Sequence, residues 1–331
     1  MNPTQVVLGI DIGGTNTVFG LVDEKGNCYS KNQIPTEGQM PPELLLKRLF
    51  SIFNVEYKSF NGTYELVGVG VGAPSANYFT GTIDKPSNFN WGYVDIVKLI
   101  NQYYSVPVAV SNDANVAAIG EMKFGAAIGL SNFIEITLGT GLGSGIVVDG
   151  NVVYGSHGFA GELGHIIFRE EGRQCSCGRK GCLETYVSAN GIKRTVFELL
   201  ANHNDESELR DITFNNLTSK LIYKAATNGD TIAKLAFEIT GKHLGLALSN
   251  SVAHLEPEAI ILFGGLALAG ELILTPTRES LEANLLSLYK GNTKVLQSSL
   301  MKSENGAILG AAAIMWNELM KKIQFLSVAA K

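Results

Sequence analysis

One histidine and three cysteines lie close together: His165, then Cys175, Cys177 and Cys182, with nine, one and four residues between successive members. One imidazole and three thiolates make a closed tetrahedral set for Zn2+. No ligand position is left for a substrate, so the metal is expected to be structural. Gly178 and Gly181 permit the tight knuckle that this spacing needs. Glu162 precedes the set and Glu184 follows Cys182 by two. Held rigidly by a knuckle, these carboxylates would suit vicinal hydroxyls; two exposed glutamates would read the same way.

A second chemistry lies in glycine. Val6-Val7-Leu8-Gly9-Ile10-Asp11-Ile12 runs into Gly13-Gly14-Thr15-Asn16, and Thr17 to Val22 returns to Asp23. The design recurs 126 residues later: Phe133 to Leu138 leads to Gly139-Thr140-Gly141, and Gly143 to Val148 returns to Asp149. Two copies of a strand–glycine turn–strand unit predict two related halves. Backbone N–H groups at each tip, joined by Gly264-Gly265, can cradle phosphate. No Gly-Lys-Ser/Thr follows, so this is no Walker loop. Gly141 to Gly145 leads into a strand, where a dinucleotide fingerprint would open a helix. Asp11, beside the first tip, suits a water-mediated Mg2+ contact.

The third pattern is Asn112-Asp113, at the end of an apolar strand and ahead of a helix. A carboxylate there can take a hydroxyl proton as general base. Both residues are also favoured N-caps, and the pair alone favours the cap.

The elements that must position these groups follow from period and punctuation. Helices are expected from Pro41-Pro42 to about Phe53, from about Ala114 to Phe124, and from a Ser188 cap to Leu200. Two more are expected from about Asp230 to His254 and from about Asn305 to Lys322. Buried strands are expected at Leu66–Val71, Val106–Val110 and Ala259–Phe263, and Ala201–Ser219 reads as a polar surface excursion. His243 falls on the apolar stripe of its helix and reads as a core residue. Strands alternate with helices, so the class is α/β.

The 331 residues suggest about two domains. With 45% hydrophobic and 17% charged residues the chain is globular, and disorder is excluded as its main state. A net charge of −5 and no dense basic run argue against a nucleic-acid partner; Arg169, Arg173, Arg179 and Lys180 are interrupted by Glu170 and Glu171. The longest apolar stretch, Ala259–Gly270, falls short of the about 20 residues of a membrane span, and the first residues carry no signal-peptide pattern. Four cysteines, three of them clustered, predict a metal site in a reducing compartment, so the expected place is the cytoplasm.

Together these residues resemble the ROK family of sugar kinases, open reading frames and repressors, from Gly9 to about Ala313. The most specific pieces are Gly161-Glu162-Leu163-Gly164-His165 and Cys175-Ser176-Cys177-Gly178-Arg179-Lys180-Gly181-Cys182-Leu183-Glu184. Asp11-Ile12-Gly13-Gly14-Thr15-Asn16 is similar to the family's first phosphate motif, Leu138-Gly139-Thr140-Gly141 to its second, and Gly264-Gly265 to its adenosine-side glycines.

The resemblance implies two ribonuclease H-like domains of the actin and hexokinase superfamily with an active-site cleft between them. Residues 1–115 with about 303–331 would form the first, and 116–302, with the knuckle, the second. It implies ATP-dependent phosphorylation of a hexose 6-hydroxyl, glucose foremost, with Asp113 as base. Asn90, Asn112, Glu162, His165 and Glu184 would bind the sugar, His165 also holding zinc. ATP and Mg2+ would be the cofactors, and a homodimer or homotetramer the assembly. N-acetylmannosamine, N-acetylglucosamine and fructose are the rival substrates within the class. A sugar-responsive regulator would need an N-terminal helix-turn-helix, and only eight residues precede Gly9. A non-catalytic actin-like ATPase would have no evident use for Asp113 or the knuckle.

Overall fold

The opening apolar run forms β1 (Thr4–Ile12), which turns at Gly13 into β2 (Asn16–Val22) and continues to β3 (Asn32–Pro35). The structure, a computed structural model, describes residues 2–86 and 89–329. Asn88, which flanks the expected sugar contact Asn90, lies outside the described residues. Helix α1 (Pro42–Ser59) carries Leu45, Leu46, Leu49, Phe50 and Phe53 on its buried face. It outruns its expected end near Phe53, stopping where Asn61 and Gly62 take positive φ. Next come β4 (Tyr64–Gly72), three short strands β5 (Ala76–Asn77), β6 (Thr82–Asp84) and β7 (Tyr93–Asp95), α2 (Ile96–Asn101), β8 (Val108–Ser111) and α3 (Asp113–Phe124). β5 to β7 form a small antiparallel sheet of their own.

The main sheet here has the order β3-β2-β1-β4-β8. The first two pairings are antiparallel and the last two parallel. The second half repeats this. β9 (Phe133–Leu138), β10 (Leu142–Val148), β11 (Asn151–Val152), α4 (Glu184–Val187), α5 (Ala189–Asn202), α6 (Ser219–Thr227) and α7 (Thr231–Leu255) lead to β12 (Ala259–Phe263), α8 (Glu271–Asn284) and β13 (Lys294–Gln297). Their sheet order is β11-β10-β9-β12-β13, again antiparallel, antiparallel, parallel, parallel. The duplication legible in the two glycine turns is thus a duplication of whole sheets.

The last helix, α9 (Gly306–Ala329), returns to the first sheet. Gly70 on β4 meets the carbonyl of Ala311 so closely that a Cβ there would collide with it. Small residues on strand and helix therefore set how near α9 can lie.

Contacts divide the chain into two compact units: residues up to Ile128 with Tyr154–Ala160 and Ser299 onward, and Gly129–Val153 with Gly161–Ser298. A cut after residue 115 would fall inside α3, which packs on α9 in the first unit with Gly120 against Gly310. Among the described residues no helix is long and apolar enough to cross a membrane.

Candidate active site

In the first unit the site is built where parallel strands end. Asn112 is the N-cap of α3: its side-chain oxygen accepts from the Asn115 N–H at 2.8 Å. Asp113 is therefore released from capping. It occupies the first turn with an exposed side chain, and one carboxylate oxygen accepts from the Ala114 N–H at 2.9 Å. The cap reading of this pair therefore falls on Asn112 alone.

Asp11 is the next-to-last residue of β1, beside Gly72 of β4. Burial, and then the charge of Asp113, push its pKa up to about 7. The pKa of Asp113 is raised as well, because surrounding protein weakens its hydration even though the carboxylate itself meets solvent; the Ala114 N–H opposes the shift. Two hard oxygen donors, each poorly hydrated and repelling the other, fit a divalent cation such as Mg2+.

A base must be ionised to work, so activity is expected to fall with decreasing pH. With Asp113 raised, the acid limb of kcat/KM is expected above the ordinary carboxylate value of about 4 and absent from the residual activity of Asp113→Asn. A pH–rate profile at saturating Mg2+ checks this.

The first glycine turn is closed by the Gly13 N–H donating to the Asn16 carbonyl at 3.0 Å, and Thr36 braces it from beneath through a hydroxyl donating to the Gly13 carbonyl at 2.7 Å. Gly14, Thr15 and Asn16 are left exposed. Asn90 is exposed too, its N–H donating to the Gly38 carbonyl at 2.8 Å next to buried Trp91.

In the second unit, Gly139 N–H donates to the Gly141 carbonyl at 3.1 Å, leaving Thr140 exposed at the tip. Gly264, at φ +94°, lies against Leu138 at the end of the same strand, and Gly265 beside it is open. Both units thus present a glycine turn at the same place in the same sheet order.

The four sulfur and nitrogen ligands of the knuckle lie within 4.8 Å of one another. Cys177 Sγ is 3.6 Å from Cys182 Sγ, and His165 Nδ1 is 3.8 Å from Cys175 Sγ. Ligands about 2.3 Å from a tetrahedral zinc stand about 3.8 Å apart, so the set fits Zn2+. Nδ1 is the ring nitrogen turned to the thiols, which leaves Nε2 for another partner. Gly181, at φ +76°, packs onto the Arg169 carbonyl so closely that no side chain fits. The Arg179 N–H holds the Cys177 thiol down to about 6.

The two glutamates differ in burial. Glu162 is exposed, on a turn pinned at both sides by one buried hydroxyl. Ser144 Oγ donates to the Gly161 carbonyl and accepts from the Leu163 N–H at 3.3 Å. The Glu184 side chain keeps only 14% of its surface exposed. Its Oε1 accepts from the Cys175 thiol at 3.0 Å and lies 3.9 Å from His165 Nδ1; its Oε2 accepts from the Leu142 N–H at 3.3 Å.

The structure places Asp11, Asn112 and Asp113 in one unit with the first glycine turn, and Glu162, His165 and Glu184 in the other with the second. A profile of the ROK family matches residues 7–318. The chain belongs to the ROK family. A glucokinase of Halalkalibacterium halodurans is 36% identical over 283 residues, which cover 84% of this chain and 86% of that one. The solved structure of a Streptomyces griseus ROK glucokinase with glucose and AMPPNP is 31% identical, covers 93% of this chain and 98% of its own, and superposes at a TM-score of 0.75. A xylose repressor of Bacillus subtilis is 29% identical over 325 residues, covering 96% of this chain and 78% of its own.

Two residues of this ROK protein that position the site carry no motif signal. Ser144 was readable only as a polar residue inside a buried strand, between Gly143 and Gly145. Arg173 reads as one member of a basic stretch interrupted by Glu170 and Glu171. In the structure it forks onto Glu198 at 2.9 and 2.6 Å, and it donates to the carbonyls of Thr185 and Gly191 at 2.7 and 3.1 Å, tying the knuckle to α4 and α5. His243 is only half a core residue: Arg169 donates to its Nε2 at 2.9 Å, while Nδ1 is buried without a partner.

Proposed function

We propose that this ROK protein is an ATP-dependent glucokinase, transferring a phosphoryl group to the 6-hydroxyl of glucose. The observation that carries the reading is Asp113: a carboxylate on the first turn of α3, past the end of a parallel strand, freed from capping by Asn112 and open to a hydroxyl. The relatives named glucokinase support glucose as the acceptor.

Phosphoryl transfer needs chiefly positioning and charge neutralisation. Asp113 orients the 6-hydroxyl and takes its proton. The Gly13–Asn16 and Gly139–Gly141 turns, with Gly264 and Gly265, hold the nucleotide. Asp11 is the residue placed to hold Mg2+ through water, and the cation supplies neutralisation of the developing charge when bound. Asn90, Asn112, Glu162, His165 and Glu184 grip the sugar hydroxyls. Zinc on His165, Cys175, Cys177 and Cys182 is structural. Cysteine ligands of that kind suit a reducing compartment, so the place is the cytoplasm. The assembly is a homodimer or homotetramer, which sedimentation velocity would test.

A panel of sugars in a coupled ADP assay tests the substrate. Glu162 and Glu184 accept from hydroxyls, and a buried acceptor such as Glu184 left unpaired costs about 1–3 kcal/mol. A 2-deoxy sugar is therefore expected to fall below glucose by about one to two decades in kcat/KM. Mannose and glucosamine are expected to be weaker substrates than glucose. Faster turnover of N-acetylmannosamine than of glucose at equal concentration would remove glucose and leave the kinase. No phosphorylation of any sugar would favour the regulator reading, to which the xylose repressor likeness points.

A further inference from the structure

The expected partner of Glu184 is a sugar hydroxyl, yet only one of its oxygens faces the metal knuckle. The other reaches a different part of the unit. Oε2 accepts from the N–H of Leu142, the residue that closes the second glycine turn and opens β10. A Cβ added at Gly141 would stand 2.6 Å from that same oxygen, so the turn lies directly on the carboxylate. At the other end of the turn, the Gly139 carbonyl accepts from the Ala189 N–H at 2.9 Å. Ala189 opens α5, just after the short helix that Glu184 begins.

The segment running from the knuckle into α5 therefore grips both ends of a turn that is closed by the bond from the Gly139 N–H to the Gly141 carbonyl. The backbone that carries Glu184 is held in turn: Leu183 N–H donates to the Ile166 carbonyl at 3.0 Å, and Thr185 N–H to the Cys182 carbonyl at 3.0 Å.

We propose that Glu184 is a positioning residue for the nucleotide: through Leu142 it fixes the Gly139–Gly141 turn in the form that presents its amides to phosphate. This rests on the kinase reading, in which that turn holds the nucleotide. It gives the two carboxylate oxygens separate tasks. Oε2 belongs to the turn. Oε1 belongs to the knuckle side, 3.0 Å from Cys175 Sγ.

The separation of tasks sets the test. Glu184→Gln keeps the reach and an oxygen for the Leu142 N–H but loses the charge. Glu184→Asp keeps the charge but withdraws it by one methylene. Binding of Mg2+–AMPPNP is measured by calorimetry on zinc-loaded protein without sugar, and glucose binding is measured in parallel.

Glu184→Asp is expected to bind AMPPNP about 5- to 20-fold more weakly, a charge-assisted hydrogen bond being lost, and Glu184→Gln within about 2-fold of wild type. Both are expected to bind glucose less well. Ala189→Pro supplies an arm away from the metal and the sugar. Proline is tolerated at the first helical position and Ser188 before it is already extended, but the N–H to Gly139 is gone. It is expected to weaken AMPPNP about 3- to 10-fold and leave zinc content and glucose binding unchanged.

Wild-type affinity for AMPPNP in Glu184→Asp overturns the positioning role, and weakening in Glu184→Gln with none in Glu184→Asp would make the effect one of charge and overturn it too. Failure of the wild-type protein to bind AMPPNP would strike the kinase reading itself.

Discussion

Asp113→Asn is expected to lower kcat by about 10²–10⁴-fold, the usual worth of a general base. At 1.36 kcal/mol per decade that is roughly 3–5 kcal/mol of transition-state stabilisation. The change is confined to chemistry because the fold does not use the lost charge. Asn112 caps α3, and an asparagine at 113 keeps an oxygen for the Ala114 N–H. Thermal stability is expected to stay within a few degrees of wild type. Glucose affinity is expected to survive in part, since Asn112 and both glutamates remain. Steady-state kinetics with a parallel melting curve check both halves. Turnover near the wild-type rate would show that another group is the base.

The second large effect is expected on losing the metal. Purified protein is expected to carry about one zinc per chain, the capacity of one Cys3His set. Cys177→Ser is expected to abolish stoichiometric zinc and to lower kcat/KM for glucose by about 10- to 100-fold, as losses in a site's supporting shell do. Three arguments make the effect large. Removing one ligand leaves the thiols of Cys175 and Cys182 buried without their charge partner. His165 loses the bond that orients its ring. Glu184 is recaptured by the Cys175 thiol, which donates to its Oε1 at 3.0 Å when protonated. Damage is expected to stay local, because Arg173 still ties the loop to Glu198 and the Thr185 carbonyl. Hydrogen exchange is expected to rise over residues 165–184 and hardly change in β9 and β12. Fully active protein with no zinc by metal analysis would refute the structural role.

Features fixed by local chemistry were legible before folding. The cluster of His165, Cys175, Cys177 and Cys182 is one example: its spacings of nine, one and four predict side chains that meet, and their ligand atoms lie within 4.8 Å of one another. The helix starts are another: Ser188 and Asp230 both accept from N–H groups three residues on, as short polar caps must. So are the paired glycine turns, because a buried aliphatic run, a turn free of side chains and a returning run leave the backbone little choice.

What the sequence left open depended on partners far along the chain. Whether Asn112 or Asp113 caps α3 is decided by which side chain reaches Asn115 N–H. Helix α8 went unread because Pro276 lies inside it; proline removes a donor from the ladder, and its ring instead packs on Gly241 of α7. The strands β5 to β7 are two or three residues long, too short for any period to show. Ser144 and Arg173 act through carbonyls and carboxylates 12 to 25 residues away. Glu162 and Glu184 look alike as residues, and only burial against Cys175 and the Leu142 N–H gives the second a separate task for each oxygen. Local spacing determined which groups are present and how the chain turns at each; the pairing of groups distant in sequence, set by the packing of sheets and helices, determined what each atom faces.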